Sequence, residues 1–335
     1  MREQLLQYIV CPACHQELTL TIKNRDADHI MEGSLQCMGC LSTYPVTAGI
    51  PILLVQHNIH EENTITAERF GHEWEAFDFI DVERYEQQFL DWIAPIQSDF
   101  FQNKVVLDAG CGKARHCIVS SQFQAKEIIG VDLASGSVRA AFRNTQHLPN
   151  VHIIRANLYQ LPFRENTFDY VYSVGVLHHT PEPRQAFSEL VKAVKHGGTI
   201  SAWVYGREGN WWIINGLNPI RRHITSRLPL PLLKGIAFLL ASLLHIIVKL
   251  IYAPINTNQH LQLLSKLLFY NDYLFWISHF PFRENYSIVF DHLLPGIAFY
   301  LSKDEFTSWF EENPLEHVVI TQKTNNSWRG TAEKS

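Results

Sequence analysis

Residues 105–116 read VVLDAGCGKARH. Two valines and a leucine open an apolar run, glycines stand at 110 and 112, and the residues after them suit a helix. The pattern predicts a buried strand that passes through a glycine turn into a helix. Turns of this kind usually cradle a phosphate on the helix N-terminus. Here the third glycine of G-x-G-x-x-G falls on Arg115, and Asp108 brings a carboxylate to the mouth of the turn. A carboxylate repels a pyrophosphate. It suits a ligand that carries an ammonium group to the glycine backbone.

S-adenosylmethionine has an amino-acid end, a sulfonium and no phosphate, so it fits these residues better than a dinucleotide does. Downstream, apolar runs rich in β-branched residues alternate with helical stretches: EIIGVDL, VHIIRAN, FDYVYSVG and GGTISAWVY. That alternation predicts an α/β protein with a mostly parallel sheet, helices on both faces, and ligands at the carboxyl ends of the strands. Asp132 closes the second strand, where a carboxylate can accept both ribose hydroxyls. Asn157 and Leu158 follow the third, where an amide can bond the adenine edge and an apolar side chain can cover its face. Any one of these acids or amides alone is more often a surface cap than a ligand contact. Three in order, each at the end of its own strand, point to one ligand.

The cysteines divide the chain. Of six, four form CPAC (Cys11, Cys14) and CMGC (Cys37, Cys40). Two C-x2-C knuckles complete a tetrahedron of thiolates and leave no open position, which predicts a structural Zn2+. The alternatives are two reduced pairs in loops, or disulfides, and a reducing compartment disfavours the latter. Cys111 and Cys117 flank the glycine turn and read as packing. The N-terminal MREQLLQYIVCPAC has no long apolar region with a small-residue cleavage site, so a cytoplasmic location is expected.

VLDAGCG, GVDL, LPFRENTFDYVYSVGVLHH and AVKHGGTISAWVY resemble the class I S-adenosylmethionine-dependent methyltransferases, in the branch of ubiquinone and menaquinone biosynthesis. The resemblance resumes at YLSKDEFTSWF and LEHVVITQ, which look like the last helix and the sixth strand. It implies a Rossmann-like, seven-stranded, mostly parallel sheet. Carried over by position, Asp108, Gly110 and Gly112 would hold the methionine part, Asp132 the ribose, and Asn157 and Leu158 the adenine, with Leu133 also in the cofactor site. Ser173 would line the pocket. CPAC…CMGC…YPVTAGIPILL is similar to the zinc-ribbon module related to the activator subunit of tRNA and translation-factor methyltransferases. The same module also occurs fused to bacterial methyltransferases, so it does not by itself imply RNA. There are departures: Ala114 stands where the family often has glycine, Asn157 where aspartate is commoner, and His196 where the turn usually has proline. None removes a group that methyl transfer needs.

The domains predicted are a zinc ribbon over 1–56, a helical linker and cofactor cap over 57–99, and a methyltransferase domain over 100–335 with a helical lid inserted at 206–300. The ribbon and the methyltransferase domain are expected to have separate cores. His178 and His179 follow the fourth strand and are the candidates for proton transfer, if the acceptor keeps a proton at neutral pH. Plain packing of the loop is the other reading. Tyr205 and Arg207 are weaker candidates for acceptor contacts. Asn326, Trp328 and Arg329 either face the acceptor or close a hairpin.

The chain carries 28 Lys and Arg against 33 Asp and Glu, a net charge of −5. That balance argues against nucleic acid as the main partner. A small-molecule or lipid-like methyl acceptor is expected instead. From Arg207 to Lys249 there are six basic residues and one acid, which leaves −10 for the rest. This basic stretch contains GIAFLLASLLHIIV, fourteen residues without a charge and too few to span a bilayer. Three readings of 207–253 stay open: peripheral contact with a membrane surface, a wall of an apolar acceptor pocket, or a buried helix.

Overall fold

A computed structural model describes residues 1–55 and 61–335, and the side chains of all but 61–63 within them. The part of the expected linker at 56–60 lies outside the described residues. Contacts divide the chain into two units, Met1–Asn210 with Ile297–Ser335, and Trp211–Gly296.

The first unit is built on one eleven-stranded sheet. Its first four strands are β1 (Leu18–Asp26), β2 (His29–Cys37), β3 (Thr43–Thr47) and β4 (Ile50–Leu53). The central ones are β5 (Val105–Ala109), β6 (Glu127–Asp132), β7 (Val151–Ala156), β8 (Phe168–Val174) and β9 (Val194–Tyr205), and the last two are β10 (Leu315–Lys323) and β11 (Ser327–Lys334). Their spatial order is β1-β2-β3-β4-β7-β6-β5-β8-β9-β11-β10. From β7 to β9 every pairing is parallel, and β11 is antiparallel to both of its neighbours. All five residues of β5 are buried, as expected of a central strand covered on both faces.

The helices of this unit are α1 (Glu61–Ala76), α2 (Val82–Ile93), α3 (Arg115–Gln122), α4 (Ser135–Thr145) and α5 (Pro183–Ala193). Asp81 caps α2 by accepting the Arg84 N–H. The order reverses between β5 and β8, which flank each other although β6 and β7 intervene in sequence. Strand ends meet there in a crevice suited to a ligand.

The cysteine-bearing segment does not have a core of its own, contrary to expectation. β4 pairs in parallel with β7, Ile52 opposite Arg155 and Leu53 opposite Ala156. Leu5, Ile9, Leu35 and Tyr44 belong to one buried cluster with Ile154, Phe163 and Phe168. A segment of fewer than sixty residues buries only a marginal core alone, and this one completes a core by extending its neighbour's sheet.

The second unit is helical: α6 (Asn218–His223), α7 (Leu230–Ile247), α8 (Ala253–Thr257), α9 (Asn271–Ser278) and α10 (Phe282–Leu293). A π-turn over Val248–Tyr252 joins α7 to α8, so one helix runs from Leu230 to Thr257. It is 28 residues long, and by length and composition it is apolar enough to cross a membrane. Val248, Tyr252, Ile277 and Phe280 form one small buried cluster in this unit. The chain returns at α11 (Lys303–Glu311), which opens with a capping box between Ser302 and Glu305. The Arg207 N–H donates to the Leu301 carbonyl, tying together the two ends of the insertion.

Candidate functional site

Residues Gly110 to Ala114 form the turn that the opening sequence predicts. Gly110 and Gly112 have φ of +88° and +54°, and Ala114 has +64°. A Cβ on Gly110 would lie 2.4 Å from the Val176 side chain, and one on Gly112 would lie 3.0 Å from Trp74 Nε1. Glycine is therefore required twice, for the backbone angle and for the close approach. The left-handed angle at Ala114 also explains why glycine is common there in the resembling family. The Gly110 and Cys111 N–H groups both donate to the Val131 carbonyl, which pins the turn to β6.

Asp108 is not at the mouth of this turn. It is 1% exposed, and its carboxylate accepts from Cys117 Sγ at 3.2 Å. Burial pushes its carboxyl up to about 7. Ser173 also turns away from solvent, and its hydroxyl donates to the Ala109 carbonyl at 2.9 Å. Cys117, read from sequence as packing, is a hydrogen-bond donor to Asp108. Periodicity cannot reveal that contact, because it depends on where α3 lies against β5.

Asp132 and Asn157 stand where the strand-end reading puts them. Asp132 accepts the Gly112 N–H and the Ala134 N–H, both at 2.9 Å, which fixes the carboxylate plane. Burial raises its pKa. The Asn157 carbonyl oxygen accepts the Tyr159 N–H at 3.2 Å. Its Nδ2 is buried without a hydrogen-bond partner among the described residues, a donor left for something that they do not supply. Leu158 is 8% exposed beside it, and Leu133 is half-buried. The protein's own groups therefore fit a nucleoside: a fixed carboxylate for a diol, an unpaired amide donor for a base edge, and a glycine backbone stripped of Cβ atoms.

Helix α1 closes over these strand ends. A Cβ on Gly136 would lie 2.4 Å from the Gly71 carbonyl oxygen, so α1 and α4 touch backbone to backbone. Glu68 on α1 accepts the Ser135 N–H and hydroxyl at 3.0 and 2.7 Å, and pairs with Arg155 at 2.7 Å. These contacts set Trp74 over Gly112 and Phe70 beside His179, with 5.0 Å between the Phe70 and His179 rings. The sequence suggests a cap here, but only the tertiary contacts name Glu68, Phe70, Gly71 and Trp74.

His178 and His179 are buried in a short turn after β8. His179 Nδ1 lies 2.7 Å from the Ile297 carbonyl. A carbonyl only accepts, so Nδ1 carries the hydrogen, and Nε2 is the basic nitrogen of the neutral ring. The His178 ring packs 4.0 Å from Tyr205, which stacks on Tyr300 at 5.6 Å. Trp328 instead donates to Glu208 at 2.9 Å, and Arg329 to Thr321 Oγ1 at 2.7 Å, while Lys323 pairs with Asp91. Trp328 and Arg329 thus hold the β10–β11 hairpin in place.

The four cysteines converge. Cys11 and Cys40 sulfurs are 3.6 Å apart, Cys14 and Cys37 sulfurs 3.4 Å, and all four lie within 4.8 Å of one another. Those separations are far beyond a disulfide bond of about 2.05 Å. They approach the ~3.8 Å edge of a tetrahedron built on Zn–S bonds of about 2.3 Å. The Gly39 and Cys40 N–H groups donate to Cys37 Sγ, which suits a thiolate.

Comparison with known proteins follows the same division. Residues 107–202 match the model of the methyltransferase domain, and residues 2–49 that of the Trm112p-like proteins. A tRNA U34 carboxymethyltransferase of Pseudoalteromonas atlantica is 33% identical over 102 residues, 30% of this chain and 31% of the relative. A demethylmenaquinone methyltransferase of Staphylococcus haemolyticus is 31% identical over 96 residues, 28% of this chain and 40% of the relative. The chain thus spans well under half the length of these curated relatives. A solved S-adenosylmethionine-dependent methyltransferase from Aquifex aeolicus aligns over 78% of this chain and 93% of its own, at 12% identity and a TM-score of 0.40. The chain carries a class I methyltransferase domain joined to a Trm112p-like ribbon with a four-cysteine cluster.

Proposed function

We propose that this chain binds S-adenosylmethionine across the carboxyl ends of β5 to β8 and transfers its methyl group to a small-molecule or lipid-like acceptor. The observation that carries the reading is the unpaired, buried Nδ2 of Asn157 in one row with the oriented Asp132 carboxylate and the glycine turn. S-adenosylmethionine, when bound, supplies a methyl group on a sulfonium, so the reaction is an in-line displacement governed chiefly by positioning. Each Asp132 oxygen keeps a lone pair beyond its backbone bond and can accept a ribose hydroxyl. Asn157 donates to the adenine edge, and Leu158 lies against its face. Trp74 and α1 cover the amino-acid end and exclude water. Nε2 of His179 takes a proton from the acceptor where one must leave. Zinc in the four-cysteine cluster is structural, since four thiolates fill its shell. Free thiols elsewhere suit a reducing, cytoplasmic setting.

Calorimetry tests the donor site. Wild-type protein should bind S-adenosylmethionine and its demethylated product, and should not bind NAD. Asp132→Ala should weaken that binding by about 2–4 kcal/mol, at roughly 1.5–3 kcal/mol for each bond to a charged group with partial replacement by water. Unchanged affinity in that variant would overturn the assignment.

An RNA acceptor is the second reading, favoured by the similarity to tRNA U34 carboxymethyltransferases and by the Trm112p-like segment. Charge favours the first: residues 1–55 hold three Lys or Arg and five Asp or Glu, and phosphate contacts dominate RNA affinity. Labelled donor incubated with fractionated extract separates the two. Label in RNA and not in lipid or small molecules would reverse the order.

A further inference from the structure

Helix α7 and its continuation expose a long apolar face. Leu232, Leu239, Leu243, Ile246 and Leu250 are 53–71% exposed. At 100° per residue they fall within an arc of about 60° and extend over about 27 Å. The opposite side is packed within its own unit. Leu233, Ala237 and Ala241 are fully buried, Phe238 meets Phe282 and Tyr286, and His245 bonds to Asn285 at 2.9 Å. An exposed apolar stripe of this length is unusual on a soluble surface and marks an interaction site.

Charge identifies the occupant. Residues 211–296 hold seven Lys or Arg and three Asp or Glu, a net +4, while the rest of the chain is −9. Lys234 and Lys249 bracket the charge-free run. At 100° per residue Lys249 lies about 90° from the centre of the stripe, exposed on its flank, where its stem can reach past apolar groups to a polar layer, whereas half-buried Lys234 lies about 150° away, on the packed side. The 3-10 turn Gln262–Leu267 repeats the pattern in small, with Leu263 and Leu267 at 75% and 83% exposed and Lys266 exposed between them. Cations beside bare leucines match an anionic lipid surface: headgroups take the charges, and the acyl boundary takes the side chains.

Two observations decide between lying in the surface and crossing it. Between Lys234 and Lys249 the helix has fourteen uncharged residues, about 21 Å of rise against a hydrocarbon core of about 30 Å. Its inner face is also taken by α10, which carries Arg283, Glu284 and Asp291 and has no place in hydrocarbon. We propose that the helix Leu230–Thr257 docks this unit in the plane of an anionic phospholipid membrane, with the Leu239–Leu243–Ile246 face in the acyl boundary and the exposed Lys249 and Lys266 on headgroups. The proposal is independent of the donor-site reading, because its readout is lipid binding.

Flotation of the full chain tests it, with vesicles of phosphatidylcholine alone and of phosphatidylcholine mixed with phosphatidylglycerol. Wild-type protein should float with the mixed vesicles at low salt and be released as salt screens the lysines. Lys249→Gln and Lys266→Gln should each weaken binding to mixed vesicles about fivefold. Leu239→Ser, Leu243→Ser and Ile246→Ser combined should abolish it, at about tenfold or more for each side chain. These groups are exposed, so circular dichroism and melting of the variants should match wild type, as should binding of S-adenosylmethionine. Failure to float with either vesicle at any salt would overturn the proposal. So would a dimer in sedimentation that the serine variant dissolves, since the occupant would then be a second copy. Retention on vesicles through alkaline carbonate would overturn it in favour of a crossing helix.

Discussion

Asp108 is the residue whose surroundings matter most to the site's chemistry. Among the described residues it has no ion pair to offset its loss of water, so its carboxyl rises from 3.8 to about 7. A raised carboxyl pKa means that the folded state prefers the protonated form. The stabilising contribution is complete below the unfolded value near 4 and is lost as pH rises through about 7. Wild-type protein should therefore lose stability between about pH 4 and pH 7. The upper limit of that loss is about 4 kcal/mol, since each tenfold change in proton affinity is worth about 1.4 kcal/mol. Asp108→Asn keeps the shape without the charge and should flatten the profile. Denaturant titrations at several pH values measure this. A cation bound in the turn favours the ionised carboxyl, so affinity for S-adenosylmethionine should rise through the same window in wild type but not in the variant.

Among the elements, α1 and α4 show how two glycines in separate helices set the geometry of a third segment. With backbones in contact at Gly71 and Gly136, no side chain can yield to an added methyl group. Gly136→Ala should force the helices apart and destabilise the protein by about 1–3 kcal/mol from overpacking, partly offset by alanine's better helix propensity. Because Trp74 rides on α1 above Gly112, binding of the methyl donor should weaken as well. The control is Gly235→Ala in α7, where nothing lies within 4 Å of the new Cβ. It should stabilise its helix by about 0.5–1 kcal/mol and leave donor binding unchanged. Thermal melts and calorimetry on the two variants distinguish packing from propensity.

For the first unit as a whole, the shared sheet and core change what metal loss should do. Separate cores would let the ribbon melt alone. A ribbon that pairs through β4 with β7, and lends Leu5, Ile9, Leu35 and Tyr44 to the common cluster, cannot melt without exposing Ile154 and Phe168. On the zinc reading, Cys14→Ser should lower the unfolding free energy of this whole unit by more than about 4 kcal/mol, in the exceptional upper tail of single substitutions to which loss of a metal belongs. The two tryptophans Trp92 and Trp203, stacked at 4.8 Å far along the chain from the cysteines, provide the probe. Their fluorescence should shift in the same transition as the ribbon's. An unshifted tryptophan transition, with the ribbon unfolded, would restore the picture of independent domains.

The sequence alone carried the parallel sheet, the glycine turn, the order of strand-end residues and the spacing of the cysteines. Each of these is written within a few consecutive residues, as alternation, β-branching, φ requirements or ligand spacing. The hairpin at Lys323–Ser327 was legible for the same reason. What tertiary structure decided are contacts between residues tens or hundreds apart. The inward turn of Asp108 and its bond to Cys117 depend on how α3 lies on β5. The Gly71–Gly136 contact depends on how the cap crosses α4, and the joined core depends on β4 finding the free edge of β7. Local pattern states which face of an element is apolar. Only packing states which neighbour covers it, and on α7 packing covered one side of the helix and left the other bare.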